Sequence, residues 1–172
     1  TRMSQVVTYQ LQRAVSSQQQ GTFRRCQLEP IAQRLFATLQ KVYYDKRMQQ
    51  SLELSPNAWV GGDEQDVMEM VGNLLENAFK YGKSQVHMSS RIDGNHIEID
   101  IEDDGPGVPP SHRDRIIKRG QRLDTSIPGQ GIGLAVATEI VQSYNGQIAI
   151  LDSALGGACF RLRLPLPQIE ER

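Results

Sequence analysis

The sequence has no run of about 18 apolar residues, so no segment of it reads as a membrane-spanning helix. It has only two cysteines in 172 residues, Cys26 and Cys159, far apart and without a ligand-like spacing. That excludes a disulfide scaffold and a zinc knuckle, and it fits a reducing cytosol. Charge of one sign is missing too: 19 Lys+Arg stand against 20 Asp+Glu, a net charge of −1. A dedicated nucleic-acid surface needs a basic surplus, so no nucleic-acid partner is expected. No secretory leader is visible, because Thr1-Arg2-Met3-Ser4 runs into polar, Gln-rich sequence. Thr1 is an unnatural start, and a piece of a longer protein is expected. What remains is 38% hydrophobic and 23% charged, the composition of a globular domain long enough to bury a core unaided.

Periodicity divides the chain into alternating helices and strand pairs. Met3, Val7, Leu11 and Ala14 place a narrow apolar stripe on a helix over residues 1–20, which needs a partner helix to bury it. A second helix is expected over 29–47, with Ile31, Leu35, Leu39 and Val42 on one face. Short strands follow at Ser51–Leu54 and Trp59–Val60. Asp63 then stands as an N-cap before a helix over 64–81, and Gly82 stops it. That helix has two faces. One is apolar, from Val67 to Ala78; the other stacks Asn73, Asn77 and Lys80 at i, i+4 and i+7. Alternation predicts strands over 86–92 and 97–101 around an Asp93-Gly94-Asn95 turn. A short helix and a loop are expected over 111–128, then a helix from Gly129 to about Tyr144 that Asn145-Gly146 ends. Two last strands lie at 147–151 and 158–164, the second with Arg161 and Arg163 toward water. This order predicts an α+β two-layer sandwich, with a mixed, largely antiparallel sheet and helices on one face.

Three features carry chemistry: the Asn73/Asn77/Lys80 stripe, the Asp103-x-Gly105-x-Gly107 turn, and the Gly129-x-Gly131-x-Gly133 loop before a helix. Each alone is commonplace; Asp-Gly and Gly-rich stretches are most often plain turns. In this order they complement one another. Glycines at a helix N-terminus expose backbone N–H groups to an anion, and the helix dipole favours negative charge there. A triphosphate also needs a divalent cation. Mg²⁺ keeps several waters, so one amide oxygen from Asn77 suffices beside the phosphates. Lys80 can neutralise phosphate charge. Asp103 can accept a hydrogen bond from an exocyclic amine, which selects adenine over guanine. Gly105 and Gly107 let the backbone approach a flat ring, and Tyr81 can stack on it or serve as a helix-end core aromatic.

Here the sequence resembles a known family. Asn73-Leu74-Leu75-Glu76-Asn77-Ala78-Phe79-Lys80-Tyr81 is similar to the N box of sensor histidine kinases. Asp103-Asp104-Gly105-Pro106-Gly107-Val108 resembles their G1 box, and Gly129-Gln130-Gly131-Ile132-Gly133-Leu134 their G2 box. Gly156-Gly157-Ala158-Cys159-Phe160 with Leu164-Pro165 resembles the closing motif and last strand. Arg119-Gly120-Gln121-Arg122-Leu123-Asp124-Thr125 is most similar to a magnesium-responsive enterobacterial branch. The resemblance implies the Bergerat ATP-binding fold, with a flexible lid between the G1 and G2 boxes. It implies ATP and Mg²⁺ as ligands, with Asn77 holding the metal, Asp103 reading adenine, and Lys80 and Arg122 on the phosphates. Asn73, Tyr81, Gly105, Gly107, Gly129, Gln130, Gly131, Ile132, Gly133 and Leu134 complete the nucleotide site. Implied partners are a phosphoacceptor helix of the same dimeric kinase and a response regulator. Localisation follows as a cytoplasmic domain of an inner-membrane protein.

The sequence departs from the family pattern at Ile116-Ile117, where the lid often has Phe, and at Ala158, often Thr. It also lacks the His-Glu-x-x-x-Pro acceptor motif: His87 and His96 fall in the strand pair and His112 at the start of the lid, and all three read as surface histidines. Residues 1–20 then read as the end of the second dimerisation helix, 21–27 as a linker, 28–167 as the catalytic ATP-binding domain and 168–172 as a tail. The same fold serves ATPases such as gyrase, Hsp90 and MutL, which place Glu at the first N-box position to activate water. Here that position is Asn73, and an amide is no general base near neutral pH. Transfer to an external imidazole is therefore expected over hydrolysis, and a nucleotide-gated binding module is the non-enzymatic alternative. Charge also divides along the chain. Residues 51–110 hold 12 acidic and 3 basic side chains, and 111–128 hold 5 basic and 2 acidic, so a basic lid faces an acidic pocket.

Overall fold

Alternating apolar residues build one five-stranded sheet, and apolar helix stripes cover it. The structure, a computed structural model, describes residues 24–121 and 131–167. In chain order it comprises β1 (Arg25–Gln27), α1 (Leu28–Val42), a 3₁₀ turn (Tyr44–Lys46), β2 (Gln49–Glu53), β3 (Trp59–Gly61) and α2 (Glu64–Tyr81). Then come β4 (Gln85–Asp93), β5 (His96–Asp103), α3 (Pro110–Gln121), α4 (Gly131–Ser143), β6 (Gln147–Asp152) and β7 (Ala158–Pro165). The main sheet runs β2-β4-β5-β7-β6. Only β2 and β4 pair in parallel; the other three pairings are antiparallel. This is the expected mixed α+β sandwich. Among the described residues, no helix is long and apolar enough to cross a membrane.

Ile97, Ile99 and Ile101 of β5 and Leu162 of β7 are fully buried beneath Val67, Val71, Leu74 and Leu75 of α2. α4 adds Ala137, Ile140 and Val141, and α1 adds Leu28, Ile31, Ala32 and Phe36. Each helix thus spends one stripe on the core, as amphipathic helices do. α2 starts where Asp63 accepts a hydrogen bond from Gln65 N at 2.8 Å. α4 ends as its composition predicts. Asn145 adopts φ 58°, and Gly146 N donates to Val141 O at 2.8 Å.

Several local expectations change. Arg25–Gln27, read as linker, form β1, paired with β3. α1 stops at Val42, and the chain turns through Tyr44–Lys46, leaving Val42 63% exposed while Phe36 takes a core place. Arg161 and Arg163 are not simply toward water. Arg161 pairs with Asp100 at 2.8 Å, and Arg163 with Asp93 at 2.9 Å. Glu98, only 6% exposed, receives Arg91 at 2.7 Å and Arg163 at 2.8 Å. A buried carboxylate needs such partners, and the register of β4, β5 and β7 supplies them. The expected helix over 1–20 and the tail over 168–172 lie outside the described residues.

Candidate nucleotide site

The site lies where the C-terminal half of α2 meets the end of β5. A cleft of about 170 Å³ is lined by Asn77 and Tyr81 of α2, Asp103, Pro106-Gly107-Val108, Ile116 of α3, Leu134 of α4, and Ala158 and Phe160 of β7. Five residues singled out from sequence for the nucleotide, Asn77, Tyr81, Asp103, Gly107 and Leu134, therefore share one wall-to-wall space. It is apolar except for the Asn77 amide, the Tyr81 phenol and the Asp103 carboxylate, the kind of lining that fits a flat heterocycle with few polar edges.

Asp103 is 3% exposed. Its Oδ1 accepts from Gly105 N at 2.8 Å and from Ala158 N at 3.4 Å. Its backbone carbonyl accepts from Gly157 N at 3.1 Å. Burial pushes its pKa up; the two backbone N–H groups and the ammonium of Lys46 oppose this and do not cancel it. The carboxylate is thus held rigidly by one oxygen at the cleft wall. The adjacent Asp104 has a different task. Its oxygens accept from Lys83 N, Ser84 N and Gln85 N at 2.8, 2.9 and 3.0 Å, and from Ser84 Oγ at 2.6 Å. Desolvation works against the charged form, but these donors win and hold the carboxyl well below the usual range. Asp104 therefore pins the turn after α2 to the loop after β5, fixing Tyr81 opposite Asp103.

Two glycines take different parts. A Cβ on Gly105 would collide with the Tyr81 carbonyl, so Gly105 lets the loop close onto the end of α2. It is buried and does not line the cleft, whereas Gly107 does, in the left-handed region at φ 74°. Lys80 is exposed, with its ammonium 5.5 Å from the Tyr81 ring centroid. Asn73 stands two turns before Tyr81. Among the described residues its buried Nδ2 has no hydrogen-bond partner, and its Oδ1 faces the Gly133 position in α4 at 3.4 Å from where a Cβ would sit. Gly131 and Ile132 open α4 beside it; Arg122, Gly129 and Gln130 lie outside the described residues.

Sequence reasoning missed Lys46. Its ammonium donates to Phe79 O at 2.7 Å and Lys80 O at 2.8 Å, closing the carbonyl end of α2. No spacing signal could have found it, because it lies 33 residues away on a 3₁₀ turn. Asp104 was legible only as a motif member. The cysteines take no part. Burial pushes Cys159 up to about 12 and Cys26 up to about 11, so neither is a thiolate near neutral pH.

Residues 62–168 match the family described as histidine kinase-, DNA gyrase B-, and HSP90-like ATPase. The chain belongs to this family. It is 49% identical over 163 residues to the two-component sensor PhoQ of Pseudomonas aeruginosa, covering 94% of this chain and 36% of that protein. It is 45% identical over 161 residues to the virulence sensor histidine kinase PhoQ of Salmonella typhimurium, covering 92% of this chain and 33% of that one. The chain thus spans about a third of the length of these curated relatives. Among solved structures it resembles a mycobacterial sensor histidine kinase, MprB, at TM-score 0.72 and 27% identity, covering 85% of this chain and 99% of that one. It is also similar to the ATP binding domain of PrrB from Mycobacterium tuberculosis, at TM-score 0.70 and 28% identity, covering 84% and 97%. The expected Bergerat-type fold is therefore this chain's fold.

Proposed function

We propose that this chain is the catalytic ATP-binding domain of a PhoQ-like two-component sensor histidine kinase. It binds MgATP and presents the γ-phosphate to a histidine on a dimerisation helix, from which the phosphoryl group passes to a PhoP-like response regulator. The observation that carries this reading is the cleft that joins Asn77, Tyr81, Asp103 and Gly107, with the Asn73 amide nearby where hydrolytic relatives place an acid. Asp103 takes the exocyclic amine of adenine, and Tyr81, Val108 and Ile116 cover the ring. The phosphates are assigned to Lys80, to the N-terminal turn of α4 and, by its motif alone, to Arg122. Hydrolysis is the weaker reading, since the position where those relatives carry the acid is Asn73, and Glu76 is exposed on another face, where Tyr43 OH donates to it at 3.5 Å.

The residues fit Mg²⁺. Among the described residues no group of three or more His, Cys, Asp or Glu side chains could cage a metal. Asn77 offers one amide oxygen, enough for an ion that takes its other ligands from phosphate and water. When bound, the ion neutralises phosphate charge. Everything else falls to positioning: Asp104 and Lys46 fix the end of α2, and α2 fixes Asn73, Asn77 and Lys80. None of His87, His96 and His112 is placed as an acceptor. His87 is engaged on the outer sheet face by Ser51 Oγ at 2.5 Å, and His96 lies on the same sheet. The domain boundaries, the dimer and the membrane location of the whole kinase belong to this same proposal.

The test mixes this chain with the separate dimerisation hairpin of a PhoQ kinase and MgATP. The expected result is acid-labile phosphohistidine on the hairpin, with turnover by the chain alone below about 0.1 s⁻¹, far under ordinary enzyme rates. ATP binding without phosphotransfer would favour a nucleotide-gated binding module. Fast hydrolysis by the chain alone would favour an ATPase.

A further inference from the structure

Arg113 belongs, by sequence, with the basic side chains that would close over phosphate. Its geometry differs. It lies in the first turn of α3, and its side chain is only 16% exposed. Its Nε donates to Val108 O at 2.9 Å, and its Nη2 to Asp152 Oδ1 at 2.5 Å. One guanidinium therefore ties the loop after Gly107 to the end of β6, from the base of α3. Val108 itself lines the cleft. Ile116, three residues beyond Arg113 and so near it on one helix face, lines it too. Neither Arg113 nor Asp152 is among the lining residues.

The strength of this tie is uneven. Asp152 is 86% exposed, so its ion pair adds little alone. The bond to the Val108 carbonyl is half-buried and charge-assisted, which makes it the stronger leg. A planar fork can serve two acceptors at a fixed angle; an ammonium at that place cannot reproduce the angle.

We infer that Arg113 is a positioning residue, which sets the base-end wall of the cleft through Val108 and Ile116 and does not contact phosphate. The inference rests on the reading of the cleft as an adenine-nucleotide site. It makes affinity for the base, common to adenosine, ADP and ATP, depend on a side chain outside the cleft.

The test titrates the full chain with adenosine, ADP and ATP in the presence of Mg²⁺, by calorimetry for the nucleotides and by NMR for adenosine. Arg113→Ala is expected to weaken all three by a common factor of about 3 to 30, less than the about 10- to 150-fold worth of a charge-assisted hydrogen bond made to the ligand itself, because this bond holds only the wall. Arg113→Lys should recover at most part of this. Asp152→Ala should give a smaller loss of the same pattern and shift the methyl resonances of Val108 and Ile116. It keeps the test sharp if Arg113→Ala does not fold. A loss much larger for ATP than for adenosine would make Arg113 a phosphate contact and overturn the inference. So would full recovery in Arg113→Lys, or methyl resonances of Val108 and Ile116 that do not move in Asp152→Ala. If the unsubstituted chain binds no adenine compound, the reading of the cleft fails along with it; a phosphate-dependent loss in the variant overturns the Arg113 inference alone.

Discussion

Replacing Asp103 by Asn separates what this side chain does for the fold from what it does for the ligand. Its Oδ1 holds Gly105 N and Ala158 N, and an amide oxygen can accept from both, though without the charge assistance. What Asn removes is a buried charge. Burial raises the Asp103 pKa, so the folded state takes up its proton more readily than the unfolded chain does. For an aspartate shifted upward, stability falls as pH rises from the ordinary value of about 3.9 through the folded pKa. At neutral pH the ionised carboxylate therefore costs the empty domain stability. Asp103→Asn is expected to melt no lower than the unsubstituted chain at pH 7, and the advantage should vanish in acid.

The ligand responds the other way. A hydrogen bond to a charged acceptor is worth about 1.5–3 kcal/mol, and the substitution puts an N–H donor against the exocyclic amine. MgATP affinity should fall by about 10- to 150-fold. Guanine presents a carbonyl at that edge, so MgGTP should lose nothing. Asp103→Ala is the control: it leaves Gly105 N and Ala158 N without their acceptor, for about 1–3 kcal/mol, or about 2–10 °C in the melting midpoint. Calorimetric titrations with both nucleotides and thermal melts at pH 5 and pH 8 read all three quantities. Equal losses for ATP and GTP would refute the adenine reading. An Asn variant as unstable as the Ala variant would refute the burial argument.

Other side chains give simpler outcomes. Asn77→Ala should abolish Mg²⁺-dependent nucleotide binding by calorimetry; unchanged MgATP affinity would remove Asn77 from the metal. Asp104→Ala deletes the acceptor for three backbone N–H groups, a loss near the upper part of the range of about 0.5–2 kcal/mol known for helix caps. The Asp104 pKa is depressed, so its contribution is present above about pH 4 and lost as pH falls; urea melts of variant and parent should converge in acid. Tyr144→Phe removes the hydroxyl that donates to Asp66 Oδ2 at 2.6 Å and accepts from Asp63 N at 3.3 Å. That bond joins the end of α4 to the start of α2, and its loss should lower stability by about 1–3 kcal/mol in denaturant titration, leaving the ATP-to-GTP preference intact.

What could be read without a structure was whatever acts within one element or across one turn. α2 was legible to the residue, because Asp63 and Gly82 punctuate an unbroken apolar stripe. The Asn73/Asn77/Lys80 face follows from helical spacing, and β4 and β5 follow from alternation around Gly94-Asn95. The losses share one cause, a partner far along the chain. β1 is three residues long and exists only because β3 pairs with it. Arg161 and Arg163 alternate as solvent-facing residues should, but cross-strand register gives them Asp100, Asp93 and Glu98. Arg113 reads as one more cation in a basic stretch, yet its fork meets a carboxylate 39 residues on. Gly105 is the instructive case. Its place in the motif was legible, but the group it makes room for is the Tyr81 carbonyl, and that role leaves Gly107 to line the cleft. A motif names the residues that must be small or acidic. Which surface each one faces is settled by the helix end, the sheet edge and the loop that meet there.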